Sequence, residues 1–267
     1  MVDSILACPN CGQPLTDASL GAECAAGHSF DRAREGYLNL LIGGRLASQT
    51  PRGDSPDALL ARRRFLAGGH YRPIADAMAE MLGDPGGPLL DVGCGEGYYL
   101  STLDMPAMPT TQRWGIDISK AAVRMAAKAM PDGRFAVASA YRLPVLAGSV
   151  AAVLSVFSPH PFDEFARVLR PGGYWVAVTP GPDHLRELRP VLQPDASAKA
   201  ADRAERRSAA PEEAVSARRV TYRLELAADV ANDLLHMTPI RWQHDGHQTA
   251  TTDVREVTVD VWVSSSH

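Results

Sequence analysis

Along this chain of 267 residues, short apolar runs alternate with stretches in which apolar side chains recur at helical spacing. Apolar runs from Pro88, over 113–118, 134–138, 149–157 and 174–179 predict strands. Between them, 98–103, 119–130 and 162–169 predict helices, the second capped by Ser119. Residues 55–70 predict another helix, because Ser55 can cap it, Pro56 suits its first turn, and Leu59, Leu60 and Phe65 supply apolar positions. Strands that alternate with helices build a mostly parallel sheet covered by helices on both faces, and ligands bind at the carboxyl ends of its strands. The fold class expected is therefore α/β. Residues 254–263 alternate apolar with polar and predict a closing antiparallel strand.

The two ends and the joints are less regular. Residues 43–56, rich in Gly, Ser, Pro and polar side chains, read as a loop, and they set a boundary between a small module at 1–45 and a larger domain at 46–267. Residues 193–217 are rich in Ala and in charge and read as a helix or loop. Arg203, Arg206 and Arg207 within it, and Arg218 and Arg219 just beyond, are candidate phosphate contacts, weighed against a solvated helix because Asp202, Glu205, Glu212 and Glu213 nearly offset them. The apolar and charged fractions, 45% and 22%, are those of an ordinary globular protein and exclude disorder over most of the chain. The longest apolar stretches, such as 150–157, are far shorter than a membrane span, and the start of the chain lacks the pattern of a signal peptide, so no membrane partner and a cytoplasmic location are expected. A formal net charge of -4 argues against broad electrostatic affinity for nucleic acid and leaves local patches open.

Three of the four cysteines, Cys8, Cys11 and Cys24, fall within the first 24 residues. An odd cluster is not a disulfide framework. With His28 it completes four ligands, two residues apart in the first pair and three in the second, the spacing of two turns that close on one tetrahedral ion. A segment of about forty residues cannot bury enough apolar surface to fold alone, and zinc can supply the deficit. Four protein ligands leave no position for water, so this zinc is read as structural; a pair of redox thiols and chance clustering are the alternatives.

Candidate chemistry in the larger domain starts at Asp91-Val-Gly-Cys-Gly-Glu-Gly97, a strand end followed by a glycine turn and a helix. Glycines allow the backbone to approach a ligand closely. A dinucleotide site also uses such a turn, but its third glycine comes one residue later than Gly97 does, and here an acid, Asp91, ends the strand. The next strand ends at Asp117, where an acid can accept hydrogen bonds from ribose hydroxyls. Together with the 138–144 loop and Leu169-Arg-Pro-Gly-Gly173, these features resemble the class I (Rossmann-like) S-adenosylmethionine-dependent methyltransferases. That resemblance implies S-adenosylmethionine held by Asp91, Gly93, Gly95, Glu96, Gly97 and Asp117, with Ser139 where the class usually has an acid beside adenine. Cys94 reads as a small packing residue.

A narrower resemblance spans almost the whole chain. Cys8-Pro-Asn-Cys11, Cys24 to His28, Phe30-Asp-Arg-Ala-Arg-Glu-Gly-Tyr-Leu-Asn-Leu-Leu41, Ala61-Arg-Arg-Arg-Phe-Leu-Ala-Gly-Gly-His-Tyr71, the glycine turn and Thr179-Pro-Gly-Pro-Asp-His-Leu185 are together similar to the bacterial 23S rRNA guanine-N1 methyltransferases, both housekeeping and tylosin-resistance types. The resemblance implies that the zinc module helps to recognise 23S rRNA, and that Tyr71, Gly95, Glu96 and His184 contact S-adenosylmethionine. It is compatible with a homodimer and with macrolide resistance. Guanine N1 must lose a proton, and His160, in the Ser158-Pro-His160 loop, is a candidate acceptor, although a loop histidine without that role is an equal reading. Arg62, Arg63 and Arg64 are candidate phosphate contacts, weighed against a solvated helix face. Two alternatives stand beside this one: a small-molecule methyltransferase whose zinc module recruits a partner, and a protein that binds S-adenosylmethionine without methylating RNA.

Overall fold

The computed structural model describes residues 4–42, 55–103, 105, 108–192, 209–238 and 252–267. In chain order the strands and helices are β1 (Leu15–Ala18), β2 (Gly21–Cys24), β3 (Ser29–Asp31), β4 (Leu38–Asn39), α1 (Pro56–Ala67), α2 (Arg72–Leu82), β5 (Leu89–Val92), α3 (Tyr98–Thr102), β6 (Arg113–Asp117), α4 (Lys120–Ala129), β7 (Arg134–Val137), β8 (Val150–Val156), α5 (Phe162–Val168), β9 (Leu169–Pro180), α6 (Arg189–Leu192), β10 (Ser216–Glu225), α7 (Ala228–Met237) and β11 (Glu256–Ser265). They fall into two compact units: residues 1–53, 82–177 and 266–267 form one, and residues 54–81 and 178–265 the other.

In the first unit the sheet runs β9-β8-β5-β6-β7-β4. Strand β5 pairs in parallel with β6 and β8, and β7 in parallel with β6 and β4. Every residue of β5 and β8 is buried, as expected for central parallel strands covered on both faces. From β5 the chain winds outward through β6 and β7 and then returns to the other side of β5 as β8, so the order reverses there and opens a crevice at the carboxyl ends. Helix α4 starts as its sequence requires, with the Ser119 hydroxyl accepting from the Ala122 N–H.

The N-terminal meander β1-β2-β3 is antiparallel. Its chain is stitched to the loop after β7: Ala7 donates to the Pro144 carbonyl at 2.9 Å, Leu146 donates to the Ile5 carbonyl at 2.8 Å, and Leu6 bridges Val145. Strand β4, only two residues long, adds itself in parallel to β7.

In the second unit α1 carries the predicted cap, Ser55 Oγ accepting from the Ala58 N–H at 3.2 Å, and packs against α7. Strands β10 and β11 form an antiparallel pair, from Ser216 opposite Ser265 to Glu225 opposite Glu256. Strand β11 lies between β10 and the end of β9, so its polar positions are buried as well as its valines, and Asp260 is fully enclosed.

Three expectations need adjustment. Strand β9 begins at Leu169 and runs through the Leu-Arg-Pro-Gly-Gly segment, whereas the predicted strand starts only at residue 174. Helix α3 is a bare turn and a half, Tyr98–Thr102. Arg218 and Arg219, candidate phosphate contacts by sequence, lie on β10 and both are engaged, Arg218 with Glu80 and Arg219 with Asp260 and Asp183. The 43–54 loop and Arg203, Arg206 and Arg207 lie outside the described residues.

Candidate functional site

The N-terminal ligand set closes in space. The ligand atoms of Cys8, Cys11, Cys24 and His28 all lie within 4.8 Å of one another. Cys11 Sγ is 3.6 Å from Cys24 Sγ, and His28 Nδ1 is 3.6 Å from Cys8 Sγ and 3.4 Å from Cys24 Sγ. A tetrahedron with Zn–S of about 2.3 Å and Zn–N of about 2.0 Å has edges of roughly 3.5 to 3.8 Å, so the donor set matches zinc in type and these three separations match it in spacing. Desolvation pushes the Cys24 thiol up, but hydrogen bonds from the His28 backbone and ring outweigh it and bring Cys24 down to about 6, toward the thiolate that metal binding needs. All four positions of such an ion are taken by protein, so its role is structural.

The second group gathers at the carboxyl ends of β5, β6, β7 and β8. Gly93, Gly95 and Gly97 all adopt positive φ. At Gly93 a Cβ would stand 2.4 Å from that of Ser158, so only glycine permits this approach. Ser158 Oγ donates to the Val92 carbonyl at 2.6 Å and lies 2.7 Å from Ser155 Oγ, which ties the loop after β8 to the turn after β5. Asp117 accepts from the Gly95 N–H through Oδ2 at 3.0 Å and from the Ser119 N–H through Oδ1 at 2.7 Å. Its carboxylate thus stands at the carboxyl end of β6, where an acid can accept hydrogen bonds from ribose hydroxyls. Ala138 donates to the Asp117 carbonyl at 3.0 Å, which places Ser139 one residue beyond.

Asp91 sits at the centre of this group. Its side chain is buried, and neither carboxylate oxygen has a hydrogen-bond partner among the described residues. Burial, then the neighbouring charges of Asp117 and Glu96, raise its carboxyl to about 8. A buried acid left without partners calls for a donor or a cation from outside the chain. Three acids around one glycine turn repel a pyrophosphate, which disfavours a dinucleotide. They suit S-adenosylmethionine, whose sulfonium and ammonium groups are cationic and whose ribose hydroxyls donate. Cys94 is buried with its thiol pushed well up, as fits a packing residue.

The remaining sequence-predicted residues lie as follows. The His160 ring stacks on Phe162 at 5.9 Å, two residues beyond Ser158. Tyr71 and His184 belong to the second unit, where their rings lie 6.3 Å apart. His184 Nδ1 accepts from the Asp260 N–H at 3.3 Å, which fixes the neutral tautomer with its proton on Nε2, and burial lowers the ring to about 4. Leu185, the next residue, has φ of 50°, a left-handed strain that non-glycine residues show where a site over-determines the backbone. On α1, Arg62 is half-buried and Arg63 exposed, while Arg64 is held by Asp233 through Nε at 2.8 Å and Nη2 at 2.5 Å.

Sequence reading missed the braces. Glu164 accepts from the Leu143 N–H at 2.7 Å and from Arg167, and Arg167 donates to the Leu143 and Val145 carbonyls at 2.9 and 2.8 Å. The i,i+3 spacing of Glu164 and Arg167 was the available signal. Asp260 was missed as well. An acid inside a run of valines was its mark, because buried polar residues are the informative ones.

Residues 6–42 match the zinc-ribbon family described as "RlmA, N-terminal", and residues 89–173 match the family described as "Methyltransferase domain". The chain is 35% identical, over 96% of its length and 94% of the relative's, to a protein of Streptomyces fradiae named 23S rRNA (guanine(748)-N(1))-methyltransferase. Two relatives carry the name "Putative 23S rRNA (guanine-N(1)-)-methyltransferase". The one from Micromonospora griseorubida is 36% identical over 90% of this chain and 88% of its own. The other, YxjB of Bacillus subtilis (strain 168), is 32% identical over 90% and 87%. With its ribbon of three cysteines and a histidine, and a glycine turn ringed by acids, the chain belongs to the family of S-adenosylmethionine-dependent 23S rRNA (guanine-N1)-methyltransferases.

Proposed function

We propose that this protein transfers a methyl group from S-adenosylmethionine to N1 of a guanosine in 23S rRNA, its zinc ribbon assisting RNA recognition. The observation that carries the reading is the buried Asp91, without a hydrogen-bond partner among the described residues, in a ring of acids at the glycine turn, within a chain whose relatives match 90% or more of it. S-adenosylmethionine supplies an electrophilic methyl group, so the protein's task is to align the attacking nitrogen and to exclude water. In this reading Asp117 receives the ribose hydroxyls, Ser139 borders the adenine, Asp91 and Glu96 neutralise positive charge, and Gly93, Gly95 and Gly97 let the backbone close in. The family resemblance adds His184 and Tyr71 as cofactor contacts; within the second unit His184 carries its proton on Nε2.

Guanine N1 lies on the pairing edge, so the target must be unpaired or flipped out before transfer. Its proton has to leave, and His160, in the loop that Ser158 anchors to Val92, is the acceptor this reading assigns. Arg62 and Arg63 are assigned to phosphates; Arg64, already engaged by Asp233, is the weakest of the three for that role.

The test incubates the purified chain with S-adenosylmethionine and unmethylated 23S rRNA, followed by reverse transcription and nucleoside mass spectrometry. A single reverse-transcription stop at a guanosine, together with 1-methylguanosine in the digest, is expected. S-adenosylmethionine binding without RNA methylation would leave a small-molecule enzyme or a binding protein. Methylation unaffected by His160→Ala would remove the proton-accepting role and leave the rest of the reading standing.

A further inference from the structure

Among the described residues, Tyr141 is the one aromatic among the large apolar side chains left exposed, 67% accessible. Single exposed apolar residues are ordinary on a surface. What distinguishes this one is the loop that carries it. Ser139 begins the loop one residue beyond Ala138, whose N–H is bonded to the Asp117 carbonyl. Its hydroxyl accepts from the Tyr141 N–H at 3.3 Å and its carbonyl from the Arg142 N–H at 3.4 Å, so the chain turns tightly there. Immediately after Arg142 the loop is clamped on two sides. Glu164 and Arg167 hold Leu143 and Val145 from α5, while Ala7 and Ile5 of the N-terminal segment hold Pro144 and Leu146.

A braced stem that thrusts an aromatic ring into solvent is unlike a flexible loop tip. Next to the ring, Arg142 is exposed as well, with one guanidinium nitrogen 3.5 Å from the carbonyl of Pro9 in the Cys8–Cys11 knuckle. The loop thus runs from Ser139, assigned above to adenine, to a contact with the metal-binding turn. A rigid ring with a cation beside it, at the edge of a methyl-donor site, is what an unpaired nucleotide requires: the ring stacks on the base, and the guanidinium meets the phosphate.

We propose that Tyr141 is a stacking platform for an unpaired nucleotide of the RNA substrate, with Arg142 positioned for its phosphate. This rests on the RNA-methylating reading above. Tyr141 is a positioning residue here, acting through the ring and not through its hydroxyl.

The test uses the full-length, zinc-loaded protein and unmethylated 23S rRNA, and compares the wild type with Tyr141→Ala and Tyr141→Phe. Losing one base–aromatic stack should lower kcat/KM for RNA on the order of 10- to 100-fold in Tyr141→Ala, while Tyr141→Phe stays within about twofold of the wild type. S-adenosylmethionine affinity, zinc content and unfolding temperature should be unchanged in both, which a merely structural role for the ring would not allow. Equal kcat/KM in the wild type and Tyr141→Ala overturns the proposal, and so does a Phe variant as impaired as the Ala variant. A wild-type protein that leaves the RNA unmethylated overturns the substrate reading itself, and the stacking role with it.

Discussion

The unfolded Asp91 titrates near its ordinary 3.8 and the folded one near about 8, because burial comes first and the Asp117 and Glu96 charges add to it. Between those values the folded chain holds a proton that the unfolded chain has released, so ligand-free stability falls as pH rises across the window. A cation seated against Asp91 favours the ionised form. Affinity for S-adenosylmethionine is therefore expected to rise between about pH 6 and pH 8.5, by at most about tenfold per unit from this group. In Asp91→Asn that component vanishes and only the ligand's own titration remains, while ligand-free stability at about pH 8 increases. Calorimetry at a series of pH values checks the difference between the two profiles, and superimposable profiles would refute it. The acids and glycines themselves were legible in the sequence, because strand end, turn and spacing fix their places. That Asp91 finds no hydrogen-bond partner among the described residues was not, since it depends on what four different strands fail to provide.

At the scale of elements, the parallel core was readable because its strands are continuous apolar runs, whereas β11 was readable only in part. Its alternation, Val257, Val259, Val261 and Val263, predicts one wet face. The intervening Thr258 and Asp260 are instead enclosed, because β10 and the end of β9 flank the strand and polar groups cover it. Asp260 accepts from Arg219 Nε and Nη2 at 2.7 and 2.8 Å, from Thr221 Oγ1 at 2.9 Å and from the Asp183 N–H at 2.8 Å. Desolvation alone would raise this carboxyl, but those donors outweigh it and hold it at about 2. A depressed folded value means stability that is present above the unfolded 3.8 and lost as pH falls toward about 2. Asp260→Asn should therefore cost roughly 1 to 3 kcal/mol at neutral pH, through hydrogen bonds left unmade, and should flatten the acid decline. Urea unfolding at about pH 7 and pH 3 measures both; a variant as stable as the wild type at neutral pH would show that the enclosed network contributes nothing net.

Across the whole molecule, the order of segments along the chain conceals their grouping: residues 1–53 cluster with 82–177, and residues 54–81 with 178–265. Spacing announced the zinc ligands. It said nothing of where the ribbon's flanking strands would pair, since a two-residue strand such as β4 carries no periodicity to read. That pairing makes the metal's influence reach beyond the ribbon. Cys8 follows directly on the Ile5–Ala7 segment that bridges residues 144–146, and β4, beyond His28, pairs with β7, whose last residue precedes Ala138 and Ser139. A segment of about forty residues cannot hold these positions without its ion, whose binding in small zinc peptides is worth roughly 10 to 16 kcal/mol. The native protein should therefore contain about one zinc per chain, and Cys11→Ala should lose it, three remaining ligands holding zinc poorly. With the ion gone, the amides of Ala7, Leu40 and Leu146 should exchange faster with solvent, and S-adenosylmethionine should bind several-fold more weakly although no ribbon residue is assigned a cofactor contact. Metal analysis, hydrogen exchange and calorimetry on the same two proteins decide the matter. Zinc-free protein that keeps both its protection at residues 5–7 and 144–146 and its full cofactor affinity would confine the metal's role to the ribbon's outer face.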